Sequence, residues 1–189
     1  MESSVQTGGQ KIFCPYMIFV SSSFRSIFAP MQITIHTDGA ARGNPGPGGY
    51  GAVLQAPGQR KELSAGYRMT TNNRMELLAV IVALEALKIP GSHVTIYTDS
   101  KYVADSVEKG WLKSWEKKGF KNKKNPDLWI RFLETYRKHQ VSFIWIKGHA
   151  NHPENERCDE LAVKASFSKE LLIDSVYEAV QDADEGNLF

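Results

Sequence analysis

The stretch Ile33-Thr34-Ile35-His36-Thr37-Asp38 places apolar β-branched residues in alternation with polar ones and then reaches a carboxylate. A period of two predicts a half-buried β-strand, here one that ends at Asp38. The same pattern recurs at Val94-Thr95-Ile96-Tyr97-Thr98, which is followed by Asp99. Ligands of open α/β sheets gather outside the carboxyl ends of the strands. If these two strands are parallel neighbours, Asp38 and Asp99 face each other across one strand spacing of about 4.8 Å.

The residues around these two strands predict the rest of the sheet. The Gly- and Pro-rich residues 43–49 are interpreted as a loop, and strands are predicted at Tyr50–Gln55 and Lys61–Tyr67. A fifth strand is predicted at Val141–Ile146. Three strands in quick succession favour an antiparallel meander. The expected fold is therefore α/β: a five-stranded mixed sheet, three antiparallel strands and then parallel ones, flanked by helices.

The longest predicted helix is capped near Thr71 or Asn72 and runs to about Leu87. From Met75 to Leu87 it is apolar almost all round, interrupted only by Glu76 and Glu85, which is typical of a helix buried between layers. Further helices are predicted from Ser100 to Val107, within the basic segment described below, from Pro126 to Arg137, and from about Pro153 onward.

Two more acidic residues lie on predicted helices. A charge at Glu76 is costly in so apolar a helix unless a cation meets it. Asp159 lies within the last helix, where a solvated charged face is the simplest interpretation. Simpler roles exist for the others too: Asp38 and Asp99 could be turn or cap residues, and Glu76 could serve the helix dipole or a capping box.

Four converging carboxylates would nevertheless form a metal site. Carboxylate oxygens are hard ligands that suit Mg²⁺ or Mn²⁺ rather than zinc. With a substrate phosphate as a bridge, such a set could hold two ions about 3.5–4 Å apart. One ion would then activate a water and the other would stabilise a leaving 3′ oxygen.

Charge is distributed unevenly along the chain. Its net charge of +2 conceals seven Lys and one Glu in residues 109–124, so the remainder is acidic. Such a patch indicates a polyanion held at one place. Within it, Trp111 or Trp115 could stack on a sugar, but their spacing of four equally suits a short helix anchored to the core.

Six sequence blocks, in order from about Met31 to Ala165, resemble the bacterial-type ribonuclease H type 1 family. They are Thr37-Asp38-Gly39-Ala40, Asn44-Pro45-Gly46-Pro47-Gly48-Gly49-Tyr50-Gly51, Thr71-Asn72-Asn73-Arg74-Met75-Glu76-Leu77, Thr98-Asp99-Ser100, Gly148-His149-Ala150 and Pro153-Glu154-Asn155-Glu156-Arg157-Cys158-Asp159-Glu160-Leu161-Ala162.

The resemblance implies an endonuclease that hydrolyses the RNA strand of RNA–DNA hybrids by a two-metal-ion mechanism and leaves 5′-phosphate and 3′-hydroxyl ends. It implies one or two Mg²⁺ ions, with Mn²⁺ as a possible substitute, held by Asp38, Glu76, Asp99 and Asp159. It also implies that His149, on a mobile loop, assists proton transfer or product release; a near-neutral pKa suits that work, although an exposed loop histidine usually has no role.

The resemblance further implies a set of substrate contacts. Asn44, Asn72 and Asn73 are short amides that can donate and accept hydrogen bonds in a minor groove, where the 2′-hydroxyl distinguishes RNA from DNA. Asn is also a common turn and cap residue. Residues 109–124 resemble the family's basic protrusion, in which the expected substrate contacts are Trp111, Lys117, Lys118 and Lys121.

The domain limits follow from these patterns. Residues 1–30 contribute no motif and are interpreted as an extension that is disordered or not native, residues 31–165 as the catalytic domain, and residues 166–189 as an acidic tail. The apolar run Ile12–Val20 is too short to span a membrane. Two cysteines without zinc spacing favour a reducing, cytoplasmic setting, and we expect a monomer.

Two alternative functions remain open at this point. Resolvases and integrases share acidic strand ends on the same fold, but generally lack this combination of Gly/Pro loop, Asn-Asn-Arg-Met-Glu block and basic segment. A hybrid-binding module without catalysis is the second alternative, and the presence of all four carboxylates and His149 argues against it. A reverse transcriptase fragment is disfavoured because the recognisable sequence forms a single domain.

Overall fold

The computed structural model describes residues 30–148, 150 and 152–186, with side chains described as far as residue 181. Residues 1–29, on which the expectation of a disordered or non-native extension falls, lie outside the described part. The strands are β1 Gln32–Ala41, β2 Gly46–Ala56, β3 Gln59–Thr70, β4 His93–Thr98 and β5 Gln140–Trp145. The helices are α1 Asn72–Glu85, α2 Lys101–Glu108, α3 Trp111–Lys117, α4 Pro126–Tyr136, α5 Pro153–Ser166 and α6 Ser175–Gly186.

The five strands form one mixed sheet in the order β3-β2-β1-β4-β5. β1 is antiparallel to β2 and parallel to β4, and β4 is parallel to β5. The predicted fold is thus confirmed. Thr37 pairs with Thr98, so the residues that follow them, Asp38 and Asp99, lie side by side at one edge of the sheet. β1 does not end at Asp38, however, because its pairing with β2 continues as far as Ala41.

The Gly- and Pro-rich stretch is a loop only in its first part, and the prediction of a loop over residues 43–49 was wrong for Gly46–Gly49. Those residues begin β2. The glycines allow a helix to approach the sheet rather than a chain to turn: a Cβ at Gly49 would lie 2.5 Å from the carbonyl oxygen of Ala162, and one at Gly51 would lie 2.1 Å from that of Cys158. Helix α5 therefore packs directly on the backbone of β2.

Helix α1 is the central element of the core. Its N-cap is Thr71, whose hydroxyl accepts a hydrogen bond from the Arg74 amide. Most of its residues are buried, Leu77, Ile81 and Leu84 among them, and it contacts both the sheet and α4. The predicted burial between layers is confirmed, and it explains why this helix lacks a polar face.

Aromatic packing fixes the α3–α4 region. The rings of Trp115 and Trp129 meet edge to face with their centroids 5.6 Å apart, and Trp129 makes a similar contact with Phe132 at 5.7 Å. Trp129 is completely buried, whereas Trp111 remains 46% exposed. Of the two tryptophans of the basic segment, Trp115 therefore anchors α3 to the core, and Trp111 stays available to a ligand.

The acidic stretch after residue 165 forms secondary structure that the sequence analysis did not predict. Leu172 forms an isolated parallel bridge to Tyr67 of the edge strand β3 and exchanges backbone hydrogen bonds with Gly66 and Arg68. Helix α6 follows. Among the helices of the described residues, none combines the length and apolar character needed to cross a bilayer.

Candidate active site

Three of the four predicted carboxylates meet at the edge of the sheet. Asp38, Glu76 and Asp99 each offer one oxygen, and the three oxygens all lie within 4.8 Å of one another. Asp38 and Glu76 are buried, at 8% and 7% exposure, and Asp99 is half-buried. The cluster thus joins Asp38 within β1, Asp99 directly after β4, and Glu76 on α1.

A close approach of α1 to β1 brings Glu76 to the strand ends. Gly39 follows Asp38, and a Cβ at this position would lie only 2.3 Å from the backbone nitrogen of Glu76. Any other residue would push the helix away from the strand. The Gly39 amide also donates a 2.7 Å hydrogen bond to Asp38 Oδ1, which orients the carboxylate.

Burial and mutual repulsion raise the pKa values of two acids in the cluster. Desolvation, followed by the charge of Asp99, raises the pKa of Asp38 to about 7. Desolvation and the charges of Asp38 and Asp99 raise the pKa of Glu76 well above its usual value. Negative charge is therefore disfavoured in this site unless a cation is added.

The carboxylates fit a divalent cation. Glu76 Oε2 is buried and accepts no hydrogen bond from any residue that the structure describes. Its other oxygen accepts a long bond of 3.3 Å from the Asn72 amide. A buried carboxylate oxygen without a donor, opposed by two further carboxylates, is what a hard metal ion would satisfy.

Asp159 is close to the cluster but is not one of the three acids whose oxygens meet. It lies on α5, is half-buried, and is not among the residues whose oxygens group within 4.8 Å. Its charge nevertheless contributes to raising the pKa values of Asp38 and Glu76. Packing of α5 against Gly51, the residue of β2 that pairs with Asp38, brings Asp159 near the cluster.

Three residues from the β5–α5 region surround Asp99. The Trp145 indole donates a 2.8 Å hydrogen bond to the backbone oxygen of Asp99, and Asn155 Nδ2 lies 3.5 Å from Asp99 Oδ2. A Cβ at Gly148 would lie 2.5 Å from the same carboxylate oxygen. Sequence reasoning did not single out Trp145 or Asn155, because the register of β5 on β4 brings the first to Asp99 and the packing of α5 brings the second. His149 lies outside the described residues, so its role stays a prediction.

The three predicted amides line the approach to the cluster. Asn44 Oδ1 accepts a 3.2 Å hydrogen bond from the backbone amide of Asn72, and Asn72 in turn donates to Glu76. Asn73 is exposed. Asn72 is not the helix cap, since that role belongs to Thr71. Asn44 is thus connected to Glu76 through Asn72, and Asn73 faces solvent in the first turn of α1.

The basic segment presents its cations to solvent. Lys117, Lys118 and Lys121 are all exposed, as is Trp111, over whose ring the Lys109 ammonium lies at 5.1 Å from the centroid. Phe120, Asn122 and Asn125 adopt left-handed backbone conformations, which turn the chain sharply between α3 and α4. Among the described contacts, none ties the side chain of Lys117, Lys118 or Lys121 to another residue. These side chains are therefore available for the predicted substrate role.

Arg74 is a buried residue beside the site that sequence reasoning missed. It is 3% exposed and forms ion pairs with Asp127 at 2.8 Å and with Asp174 at 2.6 Å. Thr70 donates a further hydrogen bond to Asp174. A signal existed in the sequence, since Arg74 stands two residues before Glu76 in an otherwise apolar helix. Its partners, however, lie about 50 and 100 residues away.

Comparison with known proteins agrees with this geometry. The RNase H family profile matches residues 30–167. The ribonuclease H of Desulforamulus reducens is 59% identical over 148 residues, which cover 76% of this chain and 92% of that protein. In structure the chain is similar to LC9-RNase H1, a type 1 RNase H, with a TM-score of 0.67 and 32% identity over 80% of this chain and 81% of the other.

A second solved structure, LC11-RNase H1 in complex with an RNA/DNA hybrid, has a TM-score of 0.53 and 31% identity. The match covers 70% of this chain and 95% of that one. The family profile spans the whole sheet and helices α1 to α5, and so includes every carboxylate of the cluster. On the fold, the acidic cluster and these similarities, the chain belongs to the ribonuclease H family.

Proposed function

We propose that this protein is an endonuclease that hydrolyses the RNA strand of RNA–DNA hybrids and leaves 5′-phosphate and 3′-hydroxyl ends. The observation that carries the proposal is the cluster of Asp38, Glu76 and Asp99, with two buried acids and a buried oxygen that lacks a described donor. A non-catalytic binding module would have no use for such a cluster, which is unfavourable on its own.

Asp38, Glu76 and Asp99 would hold the metal, with Asp159 completing the set. The proposed ion is Mg²⁺, with Mn²⁺ as a substitute, because the ligands are all hard oxygens. One or two bound ions would supply an activated water and neutralise charge on the leaving 3′ oxygen. Asn72 holds one oxygen of Glu76 and leaves the other free. The Gly39 amide fixes Asp38.

The chain would recognise its substrate with two surfaces. Asn44 and Asn73 flank Asn72, the residue that donates to Glu76, and their amides would reach the 2′-hydroxyls and base edges of a shallow minor groove. The exposed lysines of residues 109–124 would neutralise phosphates without sequence preference. The hybrid bound to the relative LC11-RNase H1 supports this substrate class.

His149 would move protons at the leaving group or assist product release. Its position directly after Gly148, whose backbone packs on Asp99, supports this assignment. A histidine can serve as proton donor or acceptor near neutral pH while the carboxylates are committed to metal. We further propose a monomer that acts in the cytoplasm, a reducing compartment that suits the buried free thiol of Cys158 and a chain with two cysteines.

The proposal is tested with end-labelled RNA–DNA hybrid, RNA duplex and DNA duplex, each incubated with Mg²⁺, Mn²⁺ or excess chelator. We expect cleavage of the RNA strand of the hybrid alone, dependent on the metal, with 5′-phosphate ends on the products. Asp38→Asn is the matched control for contaminating nucleases and should be inactive. Cutting of both strands, or full activity in chelator, would contradict the proposal.

A further inference from the structure

Helix α6 forms one wall of a cavity beside the candidate active site. The cavity has a volume of about 550 Å³. Its first wall carries the amides of Asn44, Asn73 and Asn125, the Thr71 hydroxyl, Lys123 and Lys124, and the ion pair of Arg74 with Asp127. Its second wall is built from Val176, Tyr177, Val180 and Gln181 of α6. The family profile ends at residue 167, so this second wall lies beyond the matched part of the chain.

As far as residue 181, where the described side chains end, the face that α6 turns to the cavity is uncharged. Val176, Tyr177, Val180 and Gln181 are spaced so that they fall on one stripe of the helix. Glu178 lies off that stripe and is not part of the lining; it forms a bidentate ion pair with Arg68 on the β3 side. Glu178 therefore adds no negative charge to the lining of the cavity.

The helix is held in place by buried contacts. Asp174, directly before α6, is 8% exposed and binds both Arg74 and Thr70. The ring of Tyr177 lies under the Arg74 guanidinium, 5.3 Å from centroid to carbon. Arg74 is thus neutralised by two carboxylates, which leaves Lys123 and Lys124 as the cavity's exposed cations.

Val176 and Val180 are 50% and 53% exposed, although they face this polar wall. Lysines opposite apolar side chains suit a ligand that has phosphates on one side and carbon-rich sugar rings on the other. The cavity is also continuous with the predicted substrate amides, because Asn44 and Asn73 belong to its lining.

We propose that α6 is an additional substrate-binding element, which packs against the sugars of one strand of the hybrid while Lys123 and Lys124 meet that strand's phosphates. This inference rests on the proposed function and deepens it. Val176, Tyr177 and Val180 are the contacting side chains. The protein would thereby hold a longer stretch of hybrid than residues 30–167 could hold alone.

The test places one negative charge in the α6 wall. Val176→Asp and Val180→Asp are each made in the Asp38→Asn background, so that the hybrid is bound but not cut. Both positions are half-exposed, and so the fold should tolerate the change. Ile89→Asp is the matched control: Ile89 is 51% exposed and lines a different cavity with Met31, at the opposite end of β1.

We expect each α6 variant to raise the hybrid Kd about fivefold or more by fluorescence anisotropy, whereas Ile89→Asp changes it less than twofold. A second variant, the chain ended after Ser175, keeps Asp174 but removes the wall, and it should bind several-fold more weakly while remaining folded by circular dichroism. If the chain ended after Ser175 does not fold, Val176→Asp and Val180→Asp decide whether α6 contacts the hybrid.

The possible failures are distinguishable. If the parent neither binds nor cuts hybrid, the proposed function itself fails. If the parent cuts hybrid but the α6 variants bind as Ile89→Asp does, the inference about α6 is overturned and the function stands. Tighter binding by the chain ended after Ser175 would likewise overturn it, since α6 would then obstruct the substrate.

Discussion

The indole N–H of Trp145 donates a hydrogen bond to the backbone carbonyl oxygen of Asp99, with an N···O distance of 2.8 Å. Trp145 is the last residue of β5 and pairs with Thr98, the last residue of β4. Asp99 therefore lies just beyond the last paired residues of these two strands. The Trp145 side chain holds its carbonyl group in place. The Lys101 ammonium lies over the face of the indole ring, 4.8 Å from the centroid.

Trp145→Phe should weaken metal binding without changing hybrid affinity. The variant keeps a smaller aromatic ring and loses the donor to Asp99, so the Asp99 carboxylate should be less well oriented toward the ion. We expect the Mg²⁺ concentration for half-maximal cleavage to rise up to about tenfold. Ile144→Ala, at the neighbouring exposed position on β5, is the control. An equal Mg²⁺ requirement in Trp145→Phe and the parent would assign the indole a packing role only.

Asp38→Asn should stabilise the metal-free protein while abolishing cleavage. The pKa of Asp38 is raised from its ordinary value of 3.8 to about 7, so the folded state favours the protonated form. As the pH rises between these two values, the metal-free parent loses stability, and above pH 7 the whole loss is present. Asparagine does not titrate, so we expect the variant to be more stable at pH 8 by on the order of 1 kcal/mol.

The stability advantage of Asp38→Asn should shrink as the pH is lowered toward 4. Urea denaturation in chelator at pH 5 and pH 8 measures it. Added Mg²⁺ should stabilise the parent more than the variant, since an ion that binds only the folded state adds stability by mass action. A variant that is less stable than the parent at pH 8 and retains activity would mean that Asp38 is a turn residue outside any shared site.

Asp174→Ala should be far more destabilising than Glu178→Ala, although both remove a carboxylate from the C-terminal region. Asp174 is buried against Arg74, and its loss leaves a buried guanidinium with Asp127 as its remaining carboxylate partner. We expect a loss of about 2–3 kcal/mol. Glu178 pairs with Arg68, whose side chain is 56% exposed, so its removal should cost less than about 1 kcal/mol. Thermal denaturation compares the two, and equal losses would contradict the buried network.

Changing Lys117, Lys118 and Lys121 together to Ala should raise KM and flatten the salt dependence of binding. Each phosphate contact releases a counterion, so the slope of log Kd against log salt should fall by up to about 3. Lys61, Lys88 and Lys138 are exposed lysines outside the basic segment and form the matched control. If both triple variants show the same slope, the lysines of the basic segment do not contact phosphates and form only a solvated surface.

The sequence by itself determined the sheet, the central helix and the identity of the acids. Alternating residues before Asp38 and Asp99 predicted two strand ends, because a half-buried strand must alternate to keep one face dry. The apolar residues around Glu76 predicted a buried helix, because no exposed helix lacks a polar face. These signals are local, and a single segment carries each of them.

Tertiary packing alone decided the remaining features. Gly46, Gly48 and Gly49 of β2 were interpreted as part of a loop because glycine frees the backbone, yet Gly49, like Gly51 in the predicted strand, allows α5 to approach. Trp145 reaches Asp99, and Arg74 reaches Asp174, only after strands and helices have assembled. The hydrophobic periodicity of a segment shows which of its faces is buried, but not which distant residue packs against that face. The partners of buried polar groups are fixed by three-dimensional contact, and the sequence of one segment holds no record of them.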